Sequence, residues 1–205
     1  PIGIDHGWIT RAQGRSRVST TLRTFYNGPQ GTASLGTIGY KGFFYHFLNM
    51  NTATRFGTDV ELSSIDTALL FAGMLDARQY FDGADAPETQ IRTLVNQIYQ
   101  RAEWNFMQAP TSRRIRHKWT PETGFGTECG GQPCEWTGYN EGMILYILAF
   151  GSPTFPIPDP ATSWNAWRST YNYSTQSGQT YLIFPPLFGH QYSHCWIDFR
   201  HIRDP

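Results

Sequence analysis

Two long segments of the chain repeat apolar residues at helical spacing, with polar residues between them. The first runs from about Ser63 to Phe81, and the second from about Ala86 to Met107. In both, apolar side chains recur at positions i, i+3 and i+4, which places them along one side of a helix. Ser63 and Asp66 have the spacing of a capping box at the start of the first segment, and Asp85 stands before the second. The pattern predicts two amphipathic helices.

A third segment, Met143–Phe150, is apolar on every side. A helix without a polar face must be buried all round, as in the inner layer of a larger helical assembly. A buried strand is the alternative, but the segment lacks Val, and Asn140 stands where a helix cap is expected. We expect a helix that ends at Gly151, and a shorter amphipathic helix over Ser163–Tyr171.

Long connections separate these helices. The pattern over Phe43–Phe56 alternates and turns near its middle, which is typical of a β-hairpin. Three further segments predict loops, namely Pro110–Tyr139, Pro153–Pro160 and Tyr173–His190. Loops this long in a helical domain are usually functional. The expected fold class is all-α, with long loops and a short β-hairpin.

The composition is that of a globular protein. Apolar residues make up 40% of the 205 residues and charged residues 16%, which suits a single domain with its own core. The 16 basic and 16 acidic side chains balance, which argues against nucleic-acid binding. The basic cluster Arg113–Lys118 is interrupted by an apolar residue, a pattern typical of a solvated strand or loop. No apolar run is long enough to span a membrane.

Aromatic residues are abundant, with 7 Trp, 11 Tyr and 14 Phe. Most of these rings are expected in the core, but flat aromatic faces also pack on the C–H faces of sugars, so the composition favours a carbohydrate ligand. Acyl and phosphoryl transfer are poorly supported, because the chain has neither a Gly-x-Ser-x-Gly motif nor a Gly-rich phosphate loop after a strand.

Three cysteines do not make a disulfide framework. Cys129 and Cys134 are close enough to form a local disulfide in an oxidising compartment, and free thiols are the equally weighted alternative. Zinc would need further ligands at short range, which do not follow, so we expect no metal and no cofactor. Cys195 is left over and is expected to be buried.

Four segments resemble one bacterial family. They are Ile38–Leu48, Glu61–Leu70, Trp136–Met143 running into Leu148–Pro153, and Gln191–Arg200. Together, and in this order, they resemble the glucoamylase-like (glycoamylase) domain, which includes endo-β-1,2-glucanases and the related domain of cyclic β-1,2-glucan synthases. The resemblance implies an (α/α)6 toroid, of which residues 1–205 would form one partial catalytic domain, roughly its N-terminal half.

The resemblance also implies a function. We expect a glycoside hydrolase that cleaves a β-linked glucan, with β-1,2-glucan as the implied substrate, by inverting acid/base catalysis. The alternatives are a glucan transglycosylase domain and a non-catalytic sugar-binding or truncated domain. The expected partner is an oligo- or polysaccharide, the expected state a monomer, and the expected location periplasmic or extracellular.

Glycoside hydrolysis needs two carboxyl groups that face one cleft. Glu141 is the candidate general acid, because it lies where an aromatic loop enters an apolar helix and Trp136 and Tyr139 can partly desolvate it. The alternative is a first-turn glutamate held by the helix dipole. Asp66 and Glu61 are the next candidates, although Asp66 also fits a purely structural role in the capping box.

The resemblance extends to substrate binding. Lys41, Tyr45 and His46 lie in a matching segment and are candidates to line the cavity, as is Tyr139, while Trp136 and Trp196 are candidates for stacking on sugar rings. A further polar cluster comprises His194, Asp198 and Arg200. In a helix, the histidine and the aspartate would share a face, and substrate binding and structural ion pairing are equally supported.

Overall fold

The computed structural model describes residues 1–202, and most of their secondary structure is helical. The helices are α1 (Ile2–Asp5), α2 (Arg11–Asn27), α3 (Ser64–Tyr80), α4 (Ala86–Gln100), α5 (Trp104–Met107), α6 (Gly142–Phe150), α7 (Pro160–Arg168) and α8 (Leu187–Gln191), with a 3-10 turn at Ser193–Cys195. All four segments predicted as helical contain a helix; the second is interrupted, and the other three differ from the prediction only at their ends.

Side-chain caps set where the main helices begin. Ser63 precedes α3 and its hydroxyl accepts a hydrogen bond from the Asp66 amide at 3.2 Å. Asp85 does the same for α4, through the Glu88 amide at 2.9 Å. Each cap pairs one of the amide groups that a helix start leaves without an intrahelical partner. Both predicted starts are confirmed.

The second predicted helix is broken, which corrects the expected range 86–107. Helix α4 ends at Gln100 because a tight turn of the chain packs against the next residues. The carbonyl of Lys41 accepts a hydrogen bond from the Glu103 amide at 3.0 Å. Gly42 makes the approach possible, since a Cβ at this position would lie 2.4 Å from the Arg101 carbonyl oxygen. The chain resumes helical geometry only at α5.

Helix α2 was not predicted, because its first half is largely polar. Large apolar residues begin only near its middle, and among them Leu22 belongs to the buried core. The first half is held by polar contacts with the start of α4. Arg11 donates to both oxygens of Glu88, at 2.7 and 2.8 Å, and Arg15 pairs with Asp85 at 2.7 Å. These contacts link segments that are about seventy residues apart in the chain.

Three short antiparallel strand pairs accompany the helices. They are β1 (Gly39–Tyr40) with β2 (Phe43–Phe44), β3 (Leu62–Ser63) with β4 (Lys118–Trp119), and β5 (Tyr173–Gln176) with β6 (Gln179–Leu182). In the predicted hairpin, Leu48 pairs with Arg55, and the Asn49 amide donates to the Thr54 carbonyl at 2.7 Å. This hairpin is confirmed.

Two local predictions are wrong. The segment 173–190 is not an irregular loop, because it folds into the β5–β6 hairpin around Ser177 and Gly178, both with positive φ, as a two-residue turn requires. Cys195 is exposed, although we expected a buried thiol. It lies in a polar C-terminal turn whose neighbours His194 and Trp196 are also exposed.

The core lies where α3 packs between α4 and α6. Trp104 and Phe43 meet edge to face, with ring centroids 5.2 Å apart, and Phe71 of α3 packs on Trp104. At the other end, Tyr146 of α6 stacks on Trp167 of α7 at 4.7 Å. All five rings are fully buried, so much of the aromatic content is core.

The described residues are therefore helix-rich with short antiparallel strand pairs, rather than all-α. The apolar helix α6 is largely buried, as its sequence predicts. Closure into an (α/α)6 toroid stays a prediction. Within residues 1–202, no helix combines the length and apolar character that crossing a membrane demands.

Candidate active site

The start of α3 is fixed by its contacts with β4. Leu62 pairs with Trp119 and Ser63 with Lys118 in the β3–β4 ladder. One residue further, the amide and the hydroxyl of Ser64 both donate to the carbonyl of His117, each at 3.0 Å. Residues just before and within the first turn of α3 consequently have well-defined positions.

His46 lies between two of the predicted catalytic carboxylates. Its Nδ1 is 2.8 Å from Oε1 of Glu61, and its Nε2 is 3.4 Å from Oδ2 of Asp66. The backbone supports the arrangement, since the His46 amide donates to the Glu61 carbonyl at 2.9 Å. Asp66 also accepts a short hydrogen bond from the hydroxyl of Ser63. The two carboxylates and the imidazole form one connected cluster, which we call the His46 cluster.

The His46 cluster is partly open to solvent. The side chains of His46, Glu61 and Asp66 are 35%, 28% and 42% exposed. Polar groups that only stabilised the fold could pair in this way too. Partial exposure nevertheless means that a ligand can reach the two carboxylates from the surface of the domain.

Trp136 joins the long loop to the same helix start. Its indole Nε1–H donates to the hydroxyl of Ser64 at 3.0 Å, and its ring packs against His117 with centroids 4.3 Å apart. Burial lowers the pKa of His117, which favours its neutral form. The Trp136 backbone is held as well, because its amide donates to the Ile115 carbonyl at 2.9 Å.

Glu141 lies directly before α6, beside Trp136. The neighbouring Gly142 lets the indole come close, since a Cβ there would lie 3.4 Å from Cε3 of Trp136. Asn140 pairs with the first turn of the helix, through a hydrogen bond of 2.9 Å from the Gly142 amide to its side-chain oxygen. Oε2 of Glu141 is shielded from solvent and has no hydrogen-bond partner among residues 1–202. A shielded carboxyl oxygen without a partner is costly.

Helix α6 is attached to the same chain segment as α3, residues 115–119. The phenolic oxygen of the fully buried Tyr146 accepts a hydrogen bond from the Ile115 amide at 3.0 Å. Residues 115–119 thus contact the start of α3 through His117 and the interior of α6 through Ile115. This shared attachment brings the segment with Glu141 and the segment with Asp66 into one region of the domain.

The other predicted binding residues are more scattered. Lys41 forms an ion pair of 2.6 Å with Glu103, and Tyr45 is buried with its ring 4.7 Å from the Arg55 guanidinium carbon. Tyr139 is buried, and its ring packs against Tyr171 at 5.7 Å. None of these three contacts joins its residue to the His46 cluster.

The C-terminal candidates form a separate group. Asp198 and Arg200 pair with each other through hydrogen bonds of 2.8 and 2.7 Å, both exposed, and the segment is not a continuous helix. The face-sharing of His194 and Asp198 expected for a helix therefore does not occur, and His194 packs on Phe199 instead. Trp196 approaches α3, where a Cβ on Gly73 would lie 3.9 Å from its ring.

Several residues that organise the site were not predicted. Ser64 and His117 connect α3 to Trp136, and Trp119 lies opposite Leu62, next to Glu61. Their roles depend on a pairing of segments more than fifty residues apart, for which the local sequence has no signal. Within residues 1–202, no group of three or more His, Cys, Asp or Glu side chains could hold a metal ion.

The arrangement is chemically suited to proton transfer. It offers a carboxyl oxygen without a partner on one segment and an imidazole with two carboxylates on another. Acid/base cleavage of a glycosidic bond uses two carboxyl groups that flank the bond.

Comparison with known proteins supports the family resemblance. Residues 133–205 match the model of the Glycoamylase family, described as "Putative glucoamylase". The chain is 27% identical over 179 residues to an exo beta-1,2-glucooligosaccharide sophorohydrolase (non-reducing end) from Parabacteroides distasonis. That match covers 85% of this chain and 23% of the relative.

Solved structures share the fold. A "putative glucoamylase" from Bacteroides uniformis has a TM-score of 0.82 at 28% identity, over 99% of this chain and 49% of that one. A beta-1,2-glucanase from Parabacteroides distasonis has a TM-score of 0.67 at 26% identity, over 80% of this chain and 22% of that one. The chain thus spans about half, or less, of the length of these relatives.

Proposed function

We propose that this chain forms part of the catalytic domain of a glycoside hydrolase that cleaves a β-linked glucan, with β-1,2-linked glucan as its substrate. The observation that carries the proposal is the attachment of α3 and α6 to one segment, residues 115–119, which brings the chain segments with Glu141 and with the His46 cluster into one region. Similarity to proteins named as β-1,2-glucan hydrolases supports the choice of substrate.

Glu141 acts as the general acid in this proposal. Glu141 is half-buried, and its Oε2 has no hydrogen-bond partner among the described residues, so the fold does not commit this oxygen to a structural contact. Trp136 packs beside the same backbone and offers an aromatic face for the sugar ring. Protonation of the leaving oxygen by a positioned carboxylic acid is the first requirement of glycoside cleavage.

The His46 cluster supplies the base. A carboxylate that takes a proton from water can pass it on to a neighbouring imidazole. The ring of His46 lies between Glu61 and Asp66, so once it has taken up the proton it can donate a hydrogen bond to each carboxylate. Inversion requires the base to activate water on the sugar face opposite the acid. We therefore propose an inverting reaction in which either Glu61 or Asp66 faces that water.

The disulfide supports the expected location. Cys129 and Cys134 are joined, with their Cα atoms 5.1 Å apart, as the sequence allowed. Disulfides persist in oxidising compartments. We accordingly propose a periplasmic or extracellular protein that meets an oligo- or polysaccharide outside the cytoplasm.

The test is turnover of a panel of linear β-1,2-, β-1,3- and β-1,4-glucans, with products separated by chromatography. Glu141→Gln should lower kcat by about a hundredfold or more, the usual contribution of a general acid. Asp82→Asn is the matched control, because this carboxylate is 80% exposed, and it should leave turnover unchanged. NMR of the first products formed reports the anomer, and inversion predicts the α-anomer.

Different outcomes separate the alternatives. Full activity in Glu141→Gln would remove Glu141 from the mechanism. Cyclic instead of linear products would indicate a transglycosylase, and glucan binding without turnover would indicate a sugar-binding domain.

A further inference from the structure

Residues 115–117 and 134–136 form a short antiparallel ladder with two different faces. Arg116 pairs with Glu135 across the ladder, so these side chains share one face. His117 and Trp136 pack together on the other face, toward Ser64. Because side chains alternate along a strand, the face with Arg116 is turned away from the candidate active site.

The guanidinium of Arg116 is incompletely paired. Its Nε is shielded from solvent and has no hydrogen-bond partner, and no carboxylate within residues 1–202 forms an ion pair with it. Its contact is with the ring of Phe125, 4.0 Å from the guanidinium carbon. An arginine stays charged in proteins, and the carboxylate that attracts this one, Glu135, is hydrogen-bonded to other residues. The sequence had predicted a solvated basic cluster here, whereas Arg114 and Arg116 are half-buried.

Arg116 is one of the residues that line a cavity on this face. The cavity has a volume of about 500 Å³, within the usual range for sites of small ligands. Its polar lining includes Arg114, Arg116 and Glu135. Oε2 of Glu135 already accepts hydrogen bonds from Arg114 at 2.9 Å and from Ser112 at 2.7 Å. The lining therefore has two positively charged guanidinium groups and one negatively charged carboxylate, which gives it a net charge of one positive unit.

We propose that this cavity is a binding site for a small, sugar-sized ligand that carries an oxyanion, either a carboxylate or a phosphate, and that Arg116 is its anchor. A guanidinium presents parallel N–H donors that match the oxygens of either group. Thr111 lies in the lining, where its hydroxyl can pair with a sugar hydroxyl, and Pro110 and Pro133 supply apolar contact. The site is distinct from the one proposed for hydrolysis.

The experiment measures binding by calorimetry with glucuronate, glucose 6-phosphate, inorganic phosphate and the neutral control glucose. We expect both anionic sugars to bind at least about tenfold more tightly than glucose, the usual worth of a charge-assisted hydrogen-bond pair. Phosphate as tight as glucose 6-phosphate would assign the site to a free oxyanion, and weaker phosphate would assign it to an anionic sugar. Equal binding of glucuronate, glucose 6-phosphate and glucose would overturn the proposal.

Variants locate the site. Arg116→Met keeps the apolar stem on Phe125 and should abolish the preference for anions, while Arg116→Lys should retain part of it. Arg17→Met removes an exposed arginine and should change nothing. Glu141→Gln should leave this binding intact, which separates the proposal from the hydrolytic one. An anion preference that survives in a folded Arg116→Met variant would contradict it.

Discussion

Arg55 donates hydrogen bonds to both carboxylate oxygens of Glu122, at 2.9 and 3.0 Å, although the two residues are 67 positions apart in the chain. The Arg55 side chain is completely buried, and it also donates to the carbonyls of Ser34, Thr58 and Val60. A buried arginine needs all these partners to offset its loss of water. The contact ties the loop that carries the His46 cluster to the loop that follows β4.

This ion pair should make the free energy of unfolding depend on pH in the acidic range. The Arg55 hydrogen bonds lower the pKa of Glu122 from its usual 4.5 to about 2, and Arg11 does the same for Glu88. A carboxyl group whose pKa is lower in the folded than in the unfolded state stabilises the folded state fully when the pH is above the unfolded-state pKa. This contribution to the free energy of unfolding is lost as the pH falls from about 4.5 to about 2. Urea unfolding across this range should show a falling free energy of unfolding.

Two variants check the cause. Glu122→Gln removes one titrating group, so the free energy of unfolding should fall less steeply between pH 4.5 and 2. Arg55→Met removes the hydrogen bonds responsible and should flatten the same part of the profile, although it also lowers stability at pH 7. Profiles with the wild-type slope in both variants would show that the pair does not perturb Glu122.

Tyr146→Phe should destabilise the junction between α6 and residues 115–119. The substitution leaves the buried Ile115 amide without an acceptor, which costs about 2 kcal/mol of unfolding free energy. Tyr173→Phe is the control, because Tyr173 is 59% exposed, and its stability should match the wild type. Equal stability of both variants would mean that water or another group replaces the lost acceptor.

Removing the disulfide should loosen the ladder that carries Trp136. The carbonyl of Cys134 accepts a hydrogen bond from the His117 amide at 2.9 Å, so the bridge lies directly beside the site. A Cys129→Ser, Cys134→Ser double variant should lose about 2 kcal/mol, as expected for closing so short a loop. Thermal unfolding with and without dithiothreitol checks this, since reductant should shift the wild type and leave the variant unchanged.

His46 variants can show which carboxylate is the base. Asparagine places a nitrogen near the position of Nδ1 and can keep the contact with Glu61, whereas glutamine reaches further and can keep the contact with Asp66. His46→Ala should lower kcat by about a hundredfold, since misplacement by an ångström has that cost. If Glu61 is the base, His46→Asn should retain more activity than His46→Gln, and the reverse should hold for Asp66.

Unchanged kcat in His46→Ala would mean that the imidazole serves the fold alone. His6→Ala is the comparison variant, because His6 is exposed and packs on Trp8 far along the chain from the cluster. Its kcat should equal that of the wild type.

Local signals were sufficient for the helices that carry the site. Ser63 and Asp85 occupy the capping positions that the sequence indicates, and an entirely apolar segment became the buried α6. The Cys129–Cys134 bridge was one of two open alternatives, because close spacing permits a disulfide without requiring it.

Contacts between residues far apart in the chain could not be predicted from the sequence. Glu61 and Asp66 were named as candidates, but their link through His46 depends on how the loop before β3 folds back. Helix α2 was missed because its first half is largely polar and is positioned by ion pairs and by the close packing of Gly14 on Ile4, while its large apolar residues begin only near the middle of the helix. The β5–β6 hairpin was missed because its strands are mostly exposed and lack alternating apolar residues.

The pairing of Leu62 with Trp119 has a consequence for how the domain acquires its shape. Helices α3 and α4 are joined by a short connection and can meet early, since nearby segments find each other quickly. The β3–β4 ladder must close a much longer loop, which is entropically slower. On the ribosome, we expect the helical hairpin to assemble first, and the candidate active site to form only after residues 115–146 have left the exit tunnel.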